Sequence, residues 1–254
     1  MLVGYGKSRS NPWAGAGMGT LVALMTVAVA YGAEQSLRAG AAQAPNLGTV
    51  VVDEAIQKIA QRIITQAVAK QKASAGFAIV ADPHTGRILA VANVDTSGKK
   101  SDYWALSHFV EPASIAKTLV AAQAIEKGLT SPQESHSCEN GSYRYGDQIY
   151  HDWKKEGWAS LTTEETIAFS GDICSIKIGE KIGADGLRKM LVDFGFGPEG
   201  SAKTFPQAKP GQLPPTEDPH NRLVPYVSSG HGFRMTPLEM VQAYGAIANG
   251  GNLM

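Results

Sequence analysis

From Val52 onward apolar residues fall at Ile56, Ile59, Ala60, Ile63, Ile64, Ala67 and Val68. Spacings of three and four predict an amphipathic helix with one buried stripe. Lys58, Arg62 and Lys70 lie on its polar face, and a solvated surface accounts for them. Two nearly continuous apolar runs follow, at 76–81 and 87–93, separated by Asp82-Pro83-His84-Thr85-Gly86. Short apolar runs joined by a Pro/Gly turn predict a β-hairpin, and their lack of alternation predicts cover on both faces. A helix followed by a hairpin points to α+β architecture and away from repeating βαβ units.

Further helices are expected at 113–128, with Pro112 before the start and Gly128 as the stop, at 162–182 and at 185–194. The stretch 131–160 mixes Gly, Ser, Asn and aromatic residues and reads as loop, and the Pro/Gly-rich stretch 195–225 reads as an extended surface loop. The last helix is marked by Thr236-Pro237-Leu238-Glu239, a capping box with proline in its first turn, and ends at Asn249-Gly250-Gly251.

The N-terminus has a different pattern. Lys7 and Arg9 precede an uncharged stretch from Ser10 to Ala33, most apolar between Leu21 and Tyr31. A basic flank before an apolar run is the export pattern. Ala42-Gln43-Ala44 suits a signal-peptidase site, yet about 20 weakly apolar residues also suffice for an uncleaved anchor. Residues 1–48 are therefore read as leader or anchor plus linker, and 49–254 as the folded domain. Lys+Arg and Asp+Glu both number 23. Without a positive excess the chain lacks the footprint of a nucleic-acid binder. The six histidines show no metal-ligand spacing, so neither metal nor cofactor is expected. Cys138 and Cys174 read more simply as unrelated thiols than as a pair, although an oxidising compartment would allow a bridge.

The sharpest chemical signal is Glu111-Pro112-Ala113-Ser114-Ile115-Ala116-Lys117. Three residues apart at a helix start, Ser114 and Lys117 project from one face. A serine hydroxyl needs a neighbouring base, and burial of Lys117 among Ile115, Ala116, Leu119 and Val120 disfavours its charged form. The helix N-terminus favours an oxyanion nearby. SxxK alone is a common tetrapeptide, more often a cap and a solvated lysine. A second feature adds weight: Ser170-Gly171-Asp172 interrupts a helical segment. Ser170 there could relay a proton between Lys117 and a leaving amine, while Asp172 could orient Lys117 or bind a substrate amide.

Five segments in order resemble the transpeptidase domain of class B penicillin-binding proteins: GFAIVADPHTGRILAVANV, EPASIAKTLVAAQAIEKG, SCENGSYRYGDQIYHDWKKEG, TIAFSGDICSIKIGEKIG and SSGHGFRMTPLEMVQAYGAIANGG. The resemblance covers about Val52 to Asn252. It implies the penicillin-binding/serine β-lactamase-like fold, a helical lobe plus an incomplete antiparallel sheet. It also implies a peptidoglycan D,D-transpeptidase acting on stem peptides ending in D-Ala-D-Ala. Ser114 would form the acyl-enzyme, Lys117 would be its base, Ser170 the relay, and Asp172 would bind substrate. β-Lactams would acylate the same serine. A membrane glycosyltransferase is an implied partner, and the inner membrane with the domain facing the periplasm, or export, the implied location. Asp172 stands where the family has Asn or, in elongation-type members, Asp. No Lys-Thr-Gly or Lys-Ser-Gly, the family's third motif, occurs. A truncated reading frame is therefore expected, with an exposed hairpin edge where later strands would pair. The competing readings are a β-lactamase or β-lactam sensor, and a non-catalytic membrane-tethered module.

Overall fold

The structure is a computed structural model that describes residues 52–96, 108–198, 210–216, 218 and 220–254. The leader, anchor and linker expectations lie outside these residues. The chain divides into two compact units.

The first unit holds α1 (Glu54–Gln71), β1 (Ala75–Ala81), β2 (Ile88–Asp95) and α7 (Pro237–Ala248). Asp53 caps α1 by accepting from Ile56 N at 2.9 Å, and Lys72 ends it in the left-handed region. β1 and β2 pair antiparallel from Ala75↔Asp95, with a bulge at Val80/Ala81. Ala60, Ile64 and Val68 of α1 bury against Ala90 and Ala92, with Ala78, Val80 and Val94 beside them. A Cβ on Gly76 would sit 2.6 Å from Val68 Cγ2, so a side chain there would lift the helix from the hairpin. Phe77, Ile79 and Val91 are buried too, and α7 packs on β1, which gives the two-sided cover expected. The capping box of α7 is present in both directions.

One expectation changes here. Ile59 and Ile63, placed in the buried stripe of α1, are exposed. Period alone made the stripe too wide: the Ala60/Ile64/Val68 line is the part of α1 that buries against the hairpin. The outer edge of β2 is paired from α1 and its cap. Asp53 N donates to Leu89 O at 2.8 Å. The Gln57 carboxamide donates to Val91 O at 2.9 Å and accepts from Val91 N at 2.8 Å, and Gln61 donates to Asn93 O at 3.0 Å. A glutamine carboxamide has the donor and acceptor of a peptide group and pairs with the edge as a strand would.

The second unit contains a 3₁₀ turn at Ala113–Ala116, α2 (Lys117–Glu126), β3 (Ser135–Ser137), β4 (Ser142–Tyr145) and β5 (Gln148–His151). It continues with β6 (Ser160–Thr162), α3 (Thr163–Ala168), α4 (Asp172–Ile182), α5 (Ala184–Asp193) and α6 (Leu223–Ser229). α4 is central, packed against α2, α3, α5 and α6. Gly179 on α4 admits α6 closely: a Cβ there would meet Ser228 Oγ at 1.9 Å. The stretch 131–160, read as loop, forms two ladders, β3–β6 and β4–β5. Tyr143, Tyr145 and Tyr150 of the second ladder pack on the Cys138/Leu161/Ile173/Ile176 cluster. α6 falls partly within the stretch read as surface loop.

Cys138 and Cys174 form a disulfide, with Cα atoms 4.8 Å apart, contrary to the reading of two unrelated thiols. The geometry lies within the range a bridge requires. Sequence spacing could not show that the ladder segment folds back on α4.

Candidate active site

All four predicted site residues lie in the second unit, and the structure brings them together. Lys117 opens α2 and is 2% exposed, a charged side chain among the fully buried ones. Its Nζ lies 3.2 Å from Ser114 Oγ, 3.1 Å from Ser170 Oγ, 2.9 Å from the Ser170 carbonyl and 2.6 Å from Asp172 Oδ1. The stem is buried as expected, but the tip is ringed by oxygens instead of apolar neighbours. An ammonium has three protons for these four oxygens. In the free-amine state the lone pair can instead accept the Ser114 hydroxyl proton, the arrangement that activates a serine. The Asp172 contact is a charge-assisted bond to a carboxylate with a quarter of its side chain exposed.

Each residue is held by backbone geometry with an identifiable cause. Ser114 sits in the 3₁₀ turn that precedes α2, entered through Ala113 at φ +52°. Ala113 N donates to Gly230 O at 2.9 Å. A Cβ on Gly230, itself at φ +82°, would lie 1.8 Å from Ala113 O. Only glycine permits α6 to end this close to the nucleophile turn.

Ser170 closes α3. Its N–H bonds to Ile167 O at 3.3 Å and Gly171 N to Thr166 O at 3.0 Å, the paired bonds of a Schellman ending. Ser170 occupies the left-handed position of that motif, at φ +57°, where glycine is usual. A serine held there costs about 1–2 kcal/mol relative to an ordinary conformation. The turn aims both its hydroxyl and its carbonyl at Lys117.

Asp172 opens α4, whose N-cap Gly171 offers no side chain. The cap comes from Asp152, just after β5: its Oδ1 accepts from Asp172 N at 2.7 Å and Ile173 N at 3.1 Å. Asp152 is buried and desolvation raises its pKa, with the Ile173 and Asp172 amides pulling the other way. Next to it, Trp153 Nε1 donates to Phe169 O at 3.0 Å, while Trp158 stacks on the Phe169 ring. Sequence reasoning missed Asp152 and Trp153. Nothing local marks them; only the fold sets them beside Ser170.

A cavity of about 170 Å³ opens beside Asp172, lined also by Tyr150, His151, Ile176, Ser229 and His231. The Tyr150 hydroxyl is buried without a hydrogen-bond partner, and burial pushes its pKa up to about 12. His231 Nδ1 lies 3.2 Å from Glu111 Oε2, a contact that lowers the Glu111 pKa. A larger depression, about 470 Å³ between Ser135–Ser137 and Lys177, Glu180 and Lys181, holds none of the four residues. Size therefore does not locate the site; the Lys117 cluster does.

The sequence profile of the penicillin binding protein transpeptidase domain matches residues 76–254. The chain belongs to the penicillin-binding transpeptidase family. Penicillin-binding protein PbpB of Mycobacterium tuberculosis is 30% identical over 212 residues, covering 80% of this chain and 31% of the relative. The transpeptidase domain of Burkholderia pseudomallei penicillin-binding protein 3 superposes with a TM-score of 0.70 at 28% identity, over 80% of this chain and 59% of that one. M. tuberculosis penicillin-binding protein 3 complexed with aztreonam superposes at 0.68 and 30% identity, over 78% and 46%. The chain thus spans about a third of the length of the curated relatives it matches. As a family member it has the α+β fold of the transpeptidase domains among its structural neighbours.

Proposed function

We propose that this chain provides the acyl-transfer site of a peptidoglycan D,D-transpeptidase, with Ser114 as nucleophile and Lys117 as base. The observation that carries the reading is the buried Lys117 Nζ, within hydrogen-bond reach of both serine hydroxyls and of Asp172. Ser114 Oγ attacks the carbonyl of the penultimate D-Ala, and its proton passes to the Lys117 amine. Collapse of the tetrahedral intermediate breaks the C–N bond, and Ser170 Oγ conveys that proton from Lys117 to the departing D-Ala amine. The acceptor stem-peptide amine then attacks the ester by the reverse route. Asp172 holds Lys117 in position and faces the cavity where substrate would lie. β-Lactams acylate the same serine; a solved relative carries aztreonam. The proposed setting is the outer side of the bacterial inner membrane, with a membrane glycosyltransferase as partner.

The test is incubation of the purified chain with a fluorescent penicillin, read by intact mass, with Ser114→Ala as control. A stoichiometric adduct lost in Ser114→Ala is the expected result. A folded chain that takes no adduct refutes the reading, and multiple turnovers of hydrolysed penicillin would make it a β-lactamase.

A further inference from the structure

The Ser170-Gly171-Asp172 turn closes α3 with its own backbone bonds but gives α4 no side-chain cap. Gly171 offers no capping side chain to α4, and Ser170 is held in the left-handed region. Two adjacent side chains from another segment bracket this turn. On one side the Asp152 carboxylate takes both amides that open α4, and on the other the Trp153 indole N–H takes the Phe169 carbonyl at the end of α3. Residues 169–172 are thus clasped at both ends by residues 152–153. The three distances from Lys117 Nζ to this turn, to the Ser170 carbonyl and Oγ and to Asp172 Oδ1, depend on where the turn sits.

We propose that Asp152 and Trp153 act together as positioning residues, clasping the α3–α4 turn so that Ser170 and Asp172 both face Lys117. The inference rests on the acyl-transfer reading above. It extends it by giving the segment between the two motifs a part in the reaction without contact to the reacting atoms. A carboxylate accepting two helix N-terminal amides is a strong cap, and a misplacement of about 1 Å in a catalytic group costs up to ~10²-fold in rate.

The test separates the first-order acylation constant from the pre-acylation affinity for a fluorescent penicillin. It uses the full chain, wild type and the variants Asp152→Asn, Asp152→Ala and Trp153→Phe, well below each melting temperature. Asparagine keeps an oxygen acceptor for both amides, so Asp152→Asn should stay within roughly threefold of wild type, while Asp152→Ala slows acylation ~10- to 100-fold. Trp153→Phe, which keeps the ring but not the N–H, should slow it by roughly threefold to tenfold. All losses should fall on the rate constant and leave affinity unchanged. Wild-type rates in Asp152→Ala, equal losses in Asp152→Asn and Asp152→Ala, or losses confined to affinity would overturn the proposal. If Asp152→Ala does not fold, an unchanged rate in Trp153→Phe overturns it. If the wild-type chain takes no label, the acyl-transfer reading alone fails, and amide exchange decides the clasp. Protection of the Asp172 and Ile173 amides in wild type and Asp152→Asn, lost in Asp152→Ala or Trp153→Phe, supports it; equal protection in all four overturns it.

Discussion

Breaking the Cys138–Cys174 bridge should strongly destabilise the second unit. The bond closes a loop of sequence separation 36. On the chain-entropy account, closing a loop of that length in the unfolded state stabilises the fold by about 4 kcal/mol. Both sulfurs are fully buried among Leu161, Ile173 and Ile176. A comparison of oxidised and reduced forms of one sequence therefore avoids the cavity that alanine would leave. The assay is urea unfolding followed by tryptophan fluorescence, since Trp153 and Trp158 lie inside the closed loop. With a slope near 2 kcal/mol per molar urea, a loss of about 4 kcal/mol lowers the midpoint by about 2 M. Alkylation of the unreduced, unfolded chain should find no free thiol at these positions. Two alkylated cysteines, or a stability difference under about 1 kcal/mol, would refute the reasoning.

Replacing Ser170 by Gly and by Ala removes the same hydroxyl from Lys117, so both variants should lose about 10²-fold in penicillin acylation. The glycine variant should nevertheless be about 1 kcal/mol more stable to urea, because only alanine keeps the left-handed strain. Gly230→Ala drives a methyl into the Ala113 carbonyl and should cost about 2–4 kcal/mol in urea unfolding, with loss of penicillin labelling as the Ser114 turn shifts. His136 is buried between the Thr130 and Thr163 hydroxyls, and desolvation, then the Lys181 charge, holds its pKa below the usual 6.5. The unfolded chain takes up that proton first, so the contribution present above pH 6.5 is lost as pH falls through the lowered folded-state value. His136→Gln should flatten that part of the stability–pH curve.

The sequence made legible whatever was local. The hairpin of β1 and β2, the capping box of α7 and the SxxK turn each carry their signal within about ten residues, and each is found in place. The break at Ser170 was legible because Gly171 has no reason to sit inside a helix. The two ladders between residues 135 and 162 were not, although Gly146-Asp147 between Tyr143/Tyr145 and Tyr150 is a hairpin pattern in hindsight. Their strands are three or four residues long, too short for alternation to stand out. The disulfide stayed hidden for a related reason, since the approach of its cysteines depends on those ladders folding back on α4.

Such hidden features cluster in one segment. Ser114 and Lys117 come from one continuous turn, so their 3.2 Å separation follows from helical spacing alone. Ser170 and Asp172 come from a turn more than fifty residues away, and helical spacing says nothing about their distance from Lys117. Residues between Cys138 and Trp158 supply that information three times over: a covalent bond to α4 at Cys174, a carboxylate cap on its first turn, and an indole on the last carbonyl of α3. The three ties lie within a few residues of Ser170, on both sides of it. A strained serine persists only where its surroundings over-determine it. Here those surroundings come from a segment whose own sequence, read alone, looks like loop.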